Sequence, residues 1–217
     1  MDILLSLIDF ILHLDAHLAE LTRDYGGWIY AILFAIVFIE TGVVVMPFLP
    51  GDSLLFIAGA FAAQGDMHLT ALMVSLVIAA VLGNTSNYWI GRYFGPRVFQ
   101  WETSKFFNKN AFDKAHAFYE KHGAITIIAT RFLPFLRTFS PFVAGVAAMT
   151  HGRFQLYNIS GGVLWVVSLC SAGYFFGNIA LVKNNLTLIT LALIIIPGLP
   201  AVVVALREWR AARRRTG

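Results

Sequence analysis

The chain has 217 residues, of which 58% are hydrophobic and only 13% are charged. Soluble domains carry about 25% charged residues, so this composition excludes an ordinary soluble protein. Helices that cross a bilayer need about 20 predominantly apolar residues, and several segments of the chain approach that length. The composition therefore predicts an all-α polytopic membrane protein, with residues 1–217 forming a single membrane domain.

The formal net charge of +4 would suit a nucleic-acid partner, but the positions of the basic residues favour membrane topology instead. Six Lys and Arg residues lie between Arg92 and Lys121 and five between Arg207 and Arg215, whereas Arg23 is the only one before residue 90. Basic residues concentrate on the cytoplasmic side of a membrane. We therefore expect a cytoplasmic connector and C-terminus, an N-terminus on the outside, and no nucleic-acid partner.

The first segment, residues 3–24, has apolar residues on one helical stripe and acidic residues and histidines on the other. This pattern predicts an amphipathic helix that lies on the membrane surface. His13 and His17 are one turn apart, but a zinc site needs further ligands, so we expect no bound metal here.

The next apolar stretch is interrupted at residues 40–52 by Glu-Thr-Gly-Val-Val-Val-Met-Pro-Phe-Leu-Pro-Gly-Asp. Pro47 and Pro50 each remove a backbone donor, so the helix should be unwound between Gly42 and Gly51. Irregular backbone at membrane depth persists only where protein or a water-filled cavity satisfies it, which makes this break a candidate binding site. The alternative is a loop outside the membrane that joins two full spans.

A span is predicted at about residues 69–93, and its later part carries Asn84 and Asn87, which are nearly one helical turn apart. Amides within a span either form hydrogen bonds between packed helices or line a polar cavity, and the sequence leaves both roles open. The connector that follows, residues 95–122, mixes aromatic and charged residues and is predicted to contain a second interfacial helix.

A second apolar segment, residues 124–149, is interrupted by Arg-Phe-Leu-Pro-Phe-Leu-Arg-Thr-Phe-Ser-Pro. Pro134 and Pro141 are predicted to break the helix there, as the prolines of the first break do. Two further spans are predicted at residues 153–177 and 186–206.

The order of these segments repeats along the chain. Residues 1–95 and 96–178 each contain an amphipathic helix, a broken hairpin and a span, and residues 179–217 add a C-terminal span and a basic tail. A hairpin crosses the membrane an even number of times and a span crosses it once, so the second unit is inverted relative to the first. We predict an inverted repeat with two re-entrant hairpins whose breaks meet near the middle of the membrane, as in secondary transporters.

The two breaks bring Glu40, Asp52, Arg131 and Arg137 to one polar centre. Each charge costs about 3 kcal/mol at the centre of a bilayer, so these four cannot face lipid. One hypothesis is a mutually neutralising cluster that only fastens the hairpins. The other is that the arginines hold an anionic head group such as a phosphate, while the carboxylates compete for them and take up protons.

Several motifs resemble those of the DedA family of bacterial inner-membrane proteins, which is related to the VTT, or SNARE-associated, group. These motifs are Glu40 and the runs Pro47–Asp52, Arg131–Thr138 and Phe142–Gly145. The resemblance implies movement of a membrane lipid, with undecaprenyl phosphate and phosphatidylethanolamine as the proposed lipids, and dependence on the proton motive force. It also implies that the four charged residues of the polar centre are functional. In an inner-membrane protein, the outside N-terminus expected from the basic residues is periplasmic.

We predict a flippase-like or scramblase-like translocase of an anionic lipid, either a polyprenyl phosphate or a phospholipid; the alternative is a proton-coupled exchanger of a small ion or solute. No nucleophile with a base occurs in the apolar segments, so we expect no enzyme, cofactor or metal. The predicted substrate-binding residues are Arg131, Arg137, Thr138, Asn84 and Asn87, and the predicted proton-coupling residues are Glu40 and Asp52. The predicted break residues are Pro47, Pro50, Gly51, Pro134 and Pro141.

Overall fold

A computed structural model of the chain describes residues 20–21, 26–43, 51–98, 126–132, 134–177, 179 and 192. Several predictions fall wholly or largely outside these ranges and stay predictions. They are the amphipathic N-terminal helix, the interfacial helix of the connector, the last span, and the roles of Pro47 and Pro50.

Every regular element in the described part of the chain is helical, as the composition predicts. A short 3-10 turn, Gly26–Trp28, leads into the first α-helix. The α-helices of the described ranges are α1 Ile29–Gly42, α2 Gly51–Gln64, α3 Leu69–Val98, α4 Pro134–Val146 and α5 His151–Phe176. Residues 126–130 are helical as well.

Two of these helices are long and apolar enough to cross a membrane. They are Leu69–Phe94 within α3 and His151–Phe176, each with 26 residues. A rise of 1.5 Å per residue makes each about 39 Å long, more than the roughly 30 Å of hydrocarbon in a bilayer. They coincide with two of the predicted spans. The apolar segment Gly26–Gly42 is shorter than a full crossing.

The first apolar helix is interrupted where the sequence predicts. α1 ends at Gly42, and Val43 already has an extended backbone with φ −107° and ψ 112°. The next helix, α2, begins at Gly51. Asp52 therefore lies in the first turn of α2, where the positive end of the helix dipole stabilises a carboxylate.

The second interruption lies directly before Pro134, at the start of the stretch that the sequence predicts. The helical residues 126–130 end in a turn at Arg131 and Phe132, and α4 begins at Pro134. Proline fits the first position of a helix because its missing N–H has no helical partner there. The turn places Arg131 at the interruption itself and Arg137 in the first turns of α4.

Pro141 lies inside α4, so its prediction as a break residue was wrong. The proline ring holds φ near the helical value, and in membrane helices neighbouring groups satisfy the backbone that a proline frees. Helix α3 contacts this turn of α4, since Nδ2 of Asn87 donates to the carbonyl oxygen of Thr138 at 2.7 Å.

Helices α2 and α5 cross with their backbones in contact. A Cβ atom at Gly59 of α2 would overlap the carbonyl oxygen of Cys170, and a Cβ atom at Gly173 of α5 would overlap the carbonyl oxygen of Phe56. Small residues of this kind let helices approach closely in lipid, where packing replaces the hydrophobic effect.

Helices α3 and α4 cross in the same way. A Cβ atom at Gly91 of α3 would overlap the carbonyl oxygen of Phe142, and a Cβ atom at Gly145 of α4 would overlap the carbonyl oxygen of Tyr88. The two crossings thus use the same arrangement, in which each helix of the pair contributes a glycine that faces a carbonyl of the other.

Two apolar clusters flank the polar residues of the fold. The first joins α1, α2, α3 and α5 and includes Ala80 and Trp165. The second includes Tyr88 and Phe154, whose rings stack with centroids 4.4 Å apart. Along α3, Asn84 falls between Ala80 and Tyr88, so the polar side chains lie between the clusters.

Candidate functional site

One guanidinium joins the two interruptions. Arg137 donates from Nη2 to Oε1 of Glu40, and from Nη1 to Oδ1 of Asp52 at 2.7 Å. The three residues come from the end of α1 and the first turns of α2 and α4. The expectation that the acidic and basic breaks face each other is therefore correct for these three charges.

Gly51 leaves the space that the Glu40 carboxylate occupies. Its backbone N–H donates to Oε1 of Glu40 at 3.3 Å, and a Cβ atom at this position would overlap the same carboxylate. Glu40 is completely buried. Gly51 was predicted as a break residue. The structure adds that its N–H binds the carboxylate and that the absence of a side chain leaves room for it.

Trp165 of α5 contacts three of the four charges. Its Nε1 donates to Oδ1 of Asp52 at 2.7 Å, and its ring centroid lies 5.3 Å from Cζ of Arg137 and 5.9 Å from Cζ of Arg131. Cations beside an indole ring are attracted to its electron-rich face. The sequence analysis did not identify this residue. A tryptophan in the middle of a span, away from the interfaces where the residue is enriched, is the signal that it missed.

Arg131 reaches the site from the second interruption and has different partners. Its Nη2 donates to Oδ1 of Asn158 at 2.6 Å and to the backbone oxygen of Asn158 at 3.2 Å. The side chain is buried, and within the described ranges no carboxylate pairs with it. Gly161 makes room for it, since a Cβ atom there would lie 3.2 Å from Cδ of Arg131.

Asn158 is the centre of a hydrogen-bond network between α3 and α5. Its Oδ1 also accepts from Nδ2 of Asn84 at 3.2 Å. Its Nδ2 donates to the carbonyl oxygen of Val81 at 3.0 Å, and to Oγ1 of Thr85 and Oε1 of Gln155 at 3.2 Å each. The sequence analysis missed this residue too. A buried amide inside an apolar span was the available signal.

The two asparagines of α3 have different roles. Asn84 lines the central cavity, as one of the two open interpretations predicts. Asn87 does not line it; its Nδ2 donates to the backbone oxygens of Thr138 at 2.7 Å and Thr41 at 3.3 Å. These bonds join α3 to the ends of the interrupted helices, and the contact of Asn87 with substrate stays a prediction.

A cavity of about 10 Å³ lies between the arginines. That volume holds about one water molecule, so the helices are closed around the polar centre and a phosphate group needs a wider opening. The lining combines cationic, hydroxyl, amide and aromatic groups. It is formed by Thr41, Asn84, Arg131, Arg137, Thr138 and Trp165.

Comparison with known proteins places this arrangement in a family. Residues 49–175 match the VTT domain. The chain is 52% identical to Protein DedA of Escherichia coli (strain K12) over 216 residues, which cover 99% of both proteins. The chain belongs to the DedA family.

Other DedA-family relatives are more distant. An uncharacterised membrane protein of Mycobacterium leprae (strain TN) is 43% identical over 179 residues, 82% of this chain and 80% of its own length. Inner membrane protein YqjA of Escherichia coli (strain K12) is 36% identical over 151 residues, 70% of this chain and 69% of its own length. No solved structure matches the chain. The family assignment agrees with the resemblance that the break motifs indicate.

Proposed function

We propose that this protein is a lipid translocase that moves a phosphate-bearing lipid, such as undecaprenyl phosphate or a phospholipid, across the bacterial inner membrane. The observation that carries this proposal is Arg131, a buried guanidinium at a polar cavity with no carboxylate partner in the described part of the chain. A buried charge is costly unless an opposite charge accompanies it. A phosphate head group supplies that charge through paired hydrogen bonds, while its hydrocarbon chains stay in the bilayer.

The proposal includes coupling to protons through Glu40 and Asp52. The formal charges of these two carboxylates and the two arginines sum to zero. An anionic head group therefore brings an excess negative charge into a buried site. A proton taken up by a carboxylate removes that excess and releases Arg137 from one of its ion pairs. The head group and the proton therefore favour each other's binding, which links lipid movement to the proton motive force.

We also propose that the protein is an inverted repeat with two re-entrant hairpins. The glycine crossings support this relation. Phe56 and Gly59 lie 86 positions before Phe142 and Gly145, which we take as their equivalents. Tyr88 and Gly91 lie 82 positions before their equivalents, Cys170 and Gly173. Each of these two glycine contacts between α2 and α5 therefore has a counterpart between α3 and α4, as expected of two similar units that pack against each other.

The inner membrane is proposed as the location because the relative YqjA is named an inner membrane protein. The excess of Lys and Arg in the connector and the C-terminal tail supports a periplasmic N-terminus and a cytoplasmic C-terminus.

The test is lipid movement in reconstituted vesicles. Purified full-length protein is placed in vesicles that carry a fluorescent phosphate-bearing lipid in one leaflet, and a membrane-impermeant quencher reports the fraction that crosses, with and without a pH gradient. We expect faster crossing with wild-type protein than with Arg131→Gln, and faster still when the starting side is acidic. Wild-type vesicles that match protein-free vesicles would refute the proposal. Uptake of radiolabelled inorganic phosphate without lipid crossing would instead favour the exchanger of a small ion.

A further inference from the structure

The two arginines of the cavity differ in what offsets their charge. Arg137 donates to two carboxylates, those of Glu40 and Asp52. Arg131 donates to two neutral oxygens, both belonging to Asn158. Both guanidinium groups lie beside the ring of Trp165 and line the same cavity. Arg137 is thus paired with the protein's own carboxylates, whereas no carboxylate of the described ranges offsets the charge of Arg131.

We propose that Asn158 is a positioning residue for the phosphate of the substrate: it holds Arg131 at the cavity through a neutral oxygen, so that the positive charge remains for the head group. This inference rests on the proposed function. It assigns first contact with the phosphate to Arg131, and it makes the amide of Asn158 the reason that Arg131 is oriented without being neutralised.

The orientation of the Asn158 amide is determined by its other bonds. The Nδ2 group faces three acceptors, which belong to Val81, Thr85 and Gln155. Gln155 is held in turn, since its Nε2 donates to Oγ1 of Thr85 at 2.8 Å. A rotated amide would lose its bonds to all three acceptors and would turn an N–H₂ group toward the guanidinium. The network therefore keeps Oδ1 directed at Arg131.

The neutrality of that oxygen is the part that matters for binding. A carboxylate in the place of the amide would form a charge-assisted bond with Arg131, and an incoming phosphate would then compete with it. The amide oxygen is neutral, so an incoming phosphate does not have to displace an anion of the protein from Arg131. Within the described ranges Arg131 donates only through Nη2, and its Nε has no acceptor.

The glycines of α5 give the guanidinium its path to the cavity. A Cβ atom at Gly161 would lie 3.3 Å from Nε of Arg131, and one at Gly162 would lie 3.5 Å from Nη2. A side chain at Gly161 would be tight against the guanidinium, and one at Gly162 would be in ordinary contact with it. Asn158, Gly161 and Gly162 together form a surface of α5 that supports Arg131 along its length.

The test compares wild-type protein with Asn158→Asp, which keeps an oxygen toward Arg131 and adds a charge. Full-length protein in detergent is titrated by calorimetry with dodecyl phosphate and, separately, with inorganic phosphate. We expect Asn158→Asp to weaken binding at least tenfold and to raise KM in vesicles more than it lowers kcat. Gln64→Glu, an amide-to-acid change at the end of α2, is the matched control and should bind like wild type.

A double-mutant cycle separates this role from a loss of folding. If Asn158 acts by holding Arg131, the double variant Arg131→Gln/Asn158→Ala should bind no more weakly than Arg131→Gln alone. Losses that multiply would overturn the inference, as would wild-type affinity in Asn158→Asp. Should the aspartate variant fail to fold, Asn158→Ala decides: a raised KM with unchanged kcat is expected, and an unchanged KM contradicts the positioning role.

The two probes also separate this inference from the proposed function. Binding of dodecyl phosphate but not inorganic phosphate identifies the ligand as a lipid, and equal binding of both identifies a free anion as sufficient. Wild-type protein that binds neither probe overturns the proposed function and the positioning role together. Wild-type binding that Asn158→Asp leaves unchanged overturns the positioning role alone.

Discussion

Gly51→Ala is a change that should strongly reduce lipid movement while leaving the fold intact. The added Cβ atom would overlap the carboxylate of Glu40, which is the far end of a flexible side chain and can move away. Gly51 is the first residue of α2, so the change leaves the interior of the helix as it is. We therefore expect α2 to remain stable while Glu40 leaves its place beside Arg137.

The size of the effect follows from the contacts that are lost. Displacement of the carboxylate removes the bond from the Gly51 N–H and weakens the ion pair with Arg137. A hydrogen bond to a charged group contributes about 1.5–3 kcal/mol, and each 1.36 kcal/mol is a factor of ten. Loss of one such interaction corresponds to a fall of about 10- to 150-fold in the rate of lipid movement.

The assay is lipid crossing in vesicles, together with the thermal unfolding temperature of the purified protein. Gly27→Ala is the matched control, because a Cβ atom there meets nothing within 4 Å, and it should behave like wild type in both measurements. Gly59→Ala meets a backbone carbonyl of α5 and should lower the unfolding temperature. Gly51→Ala with wild-type transport, or with the unfolding loss of Gly59→Ala, would refute the assignment of Gly51 to the carboxylate site.

Three further predictions concern the charges and the topology. Arg137→Lys should reduce vesicle transport about 10- to 150-fold despite keeping the charge, because one ammonium cannot replace the two nitrogens that contact separate carboxylates; wild-type rates would leave only a diffuse positive field. Glu40→Gln and Asp52→Asn mimic protonated carboxylates and should remove the dependence of transport on an imposed pH gradient; variants that follow the gradient as wild type does would contradict proton coupling. A cysteine at position 109 in a Cys170→Ser background should react with an impermeant thiol reagent only after cells are opened, and labelling of intact cells would reverse the proposed topology.

The charged residues of the site were predictable because a charged side chain is costly in contact with lipid. Glu40, Asp52 and Arg137 interrupt apolar segments, and a charge in such a segment has to meet another charge or a polar cavity. The end of α1 at Gly42 and the start of α2 at Gly51 were predictable because glycine and proline change the backbone of their immediate neighbours. Pro141 misled because its ring holds φ near the helical value, so a residue that ends one helix is tolerated inside another.

Trp165 and Asn158 were not found because they lie in an apolar span whose composition indicates only a membrane crossing. Their roles depend on which residues of other helices face them, and that information is long-range. Their spacing was nonetheless informative. They are seven residues apart, which is two turns and therefore one face of a helix, and Gly161 and Gly162 lie between them.

The glycine crossings also determine which helices move together. Where Gly59 meets Cys170 and Gly145 meets Tyr88, backbones touch without a side chain between them, so α2 is fastened to α5 and α4 to α3. Each fastened pair combines a helix from the first half of the sequence with one from the second. The cavity lies between the pairs, with Trp165 on one and Asn84 on the other. A movement that separates the pairs therefore has to break the hydrogen bonds between Asn158 and α3 and the ion pair between Arg137 and Asp52, while the glycine contacts within each pair stay in place.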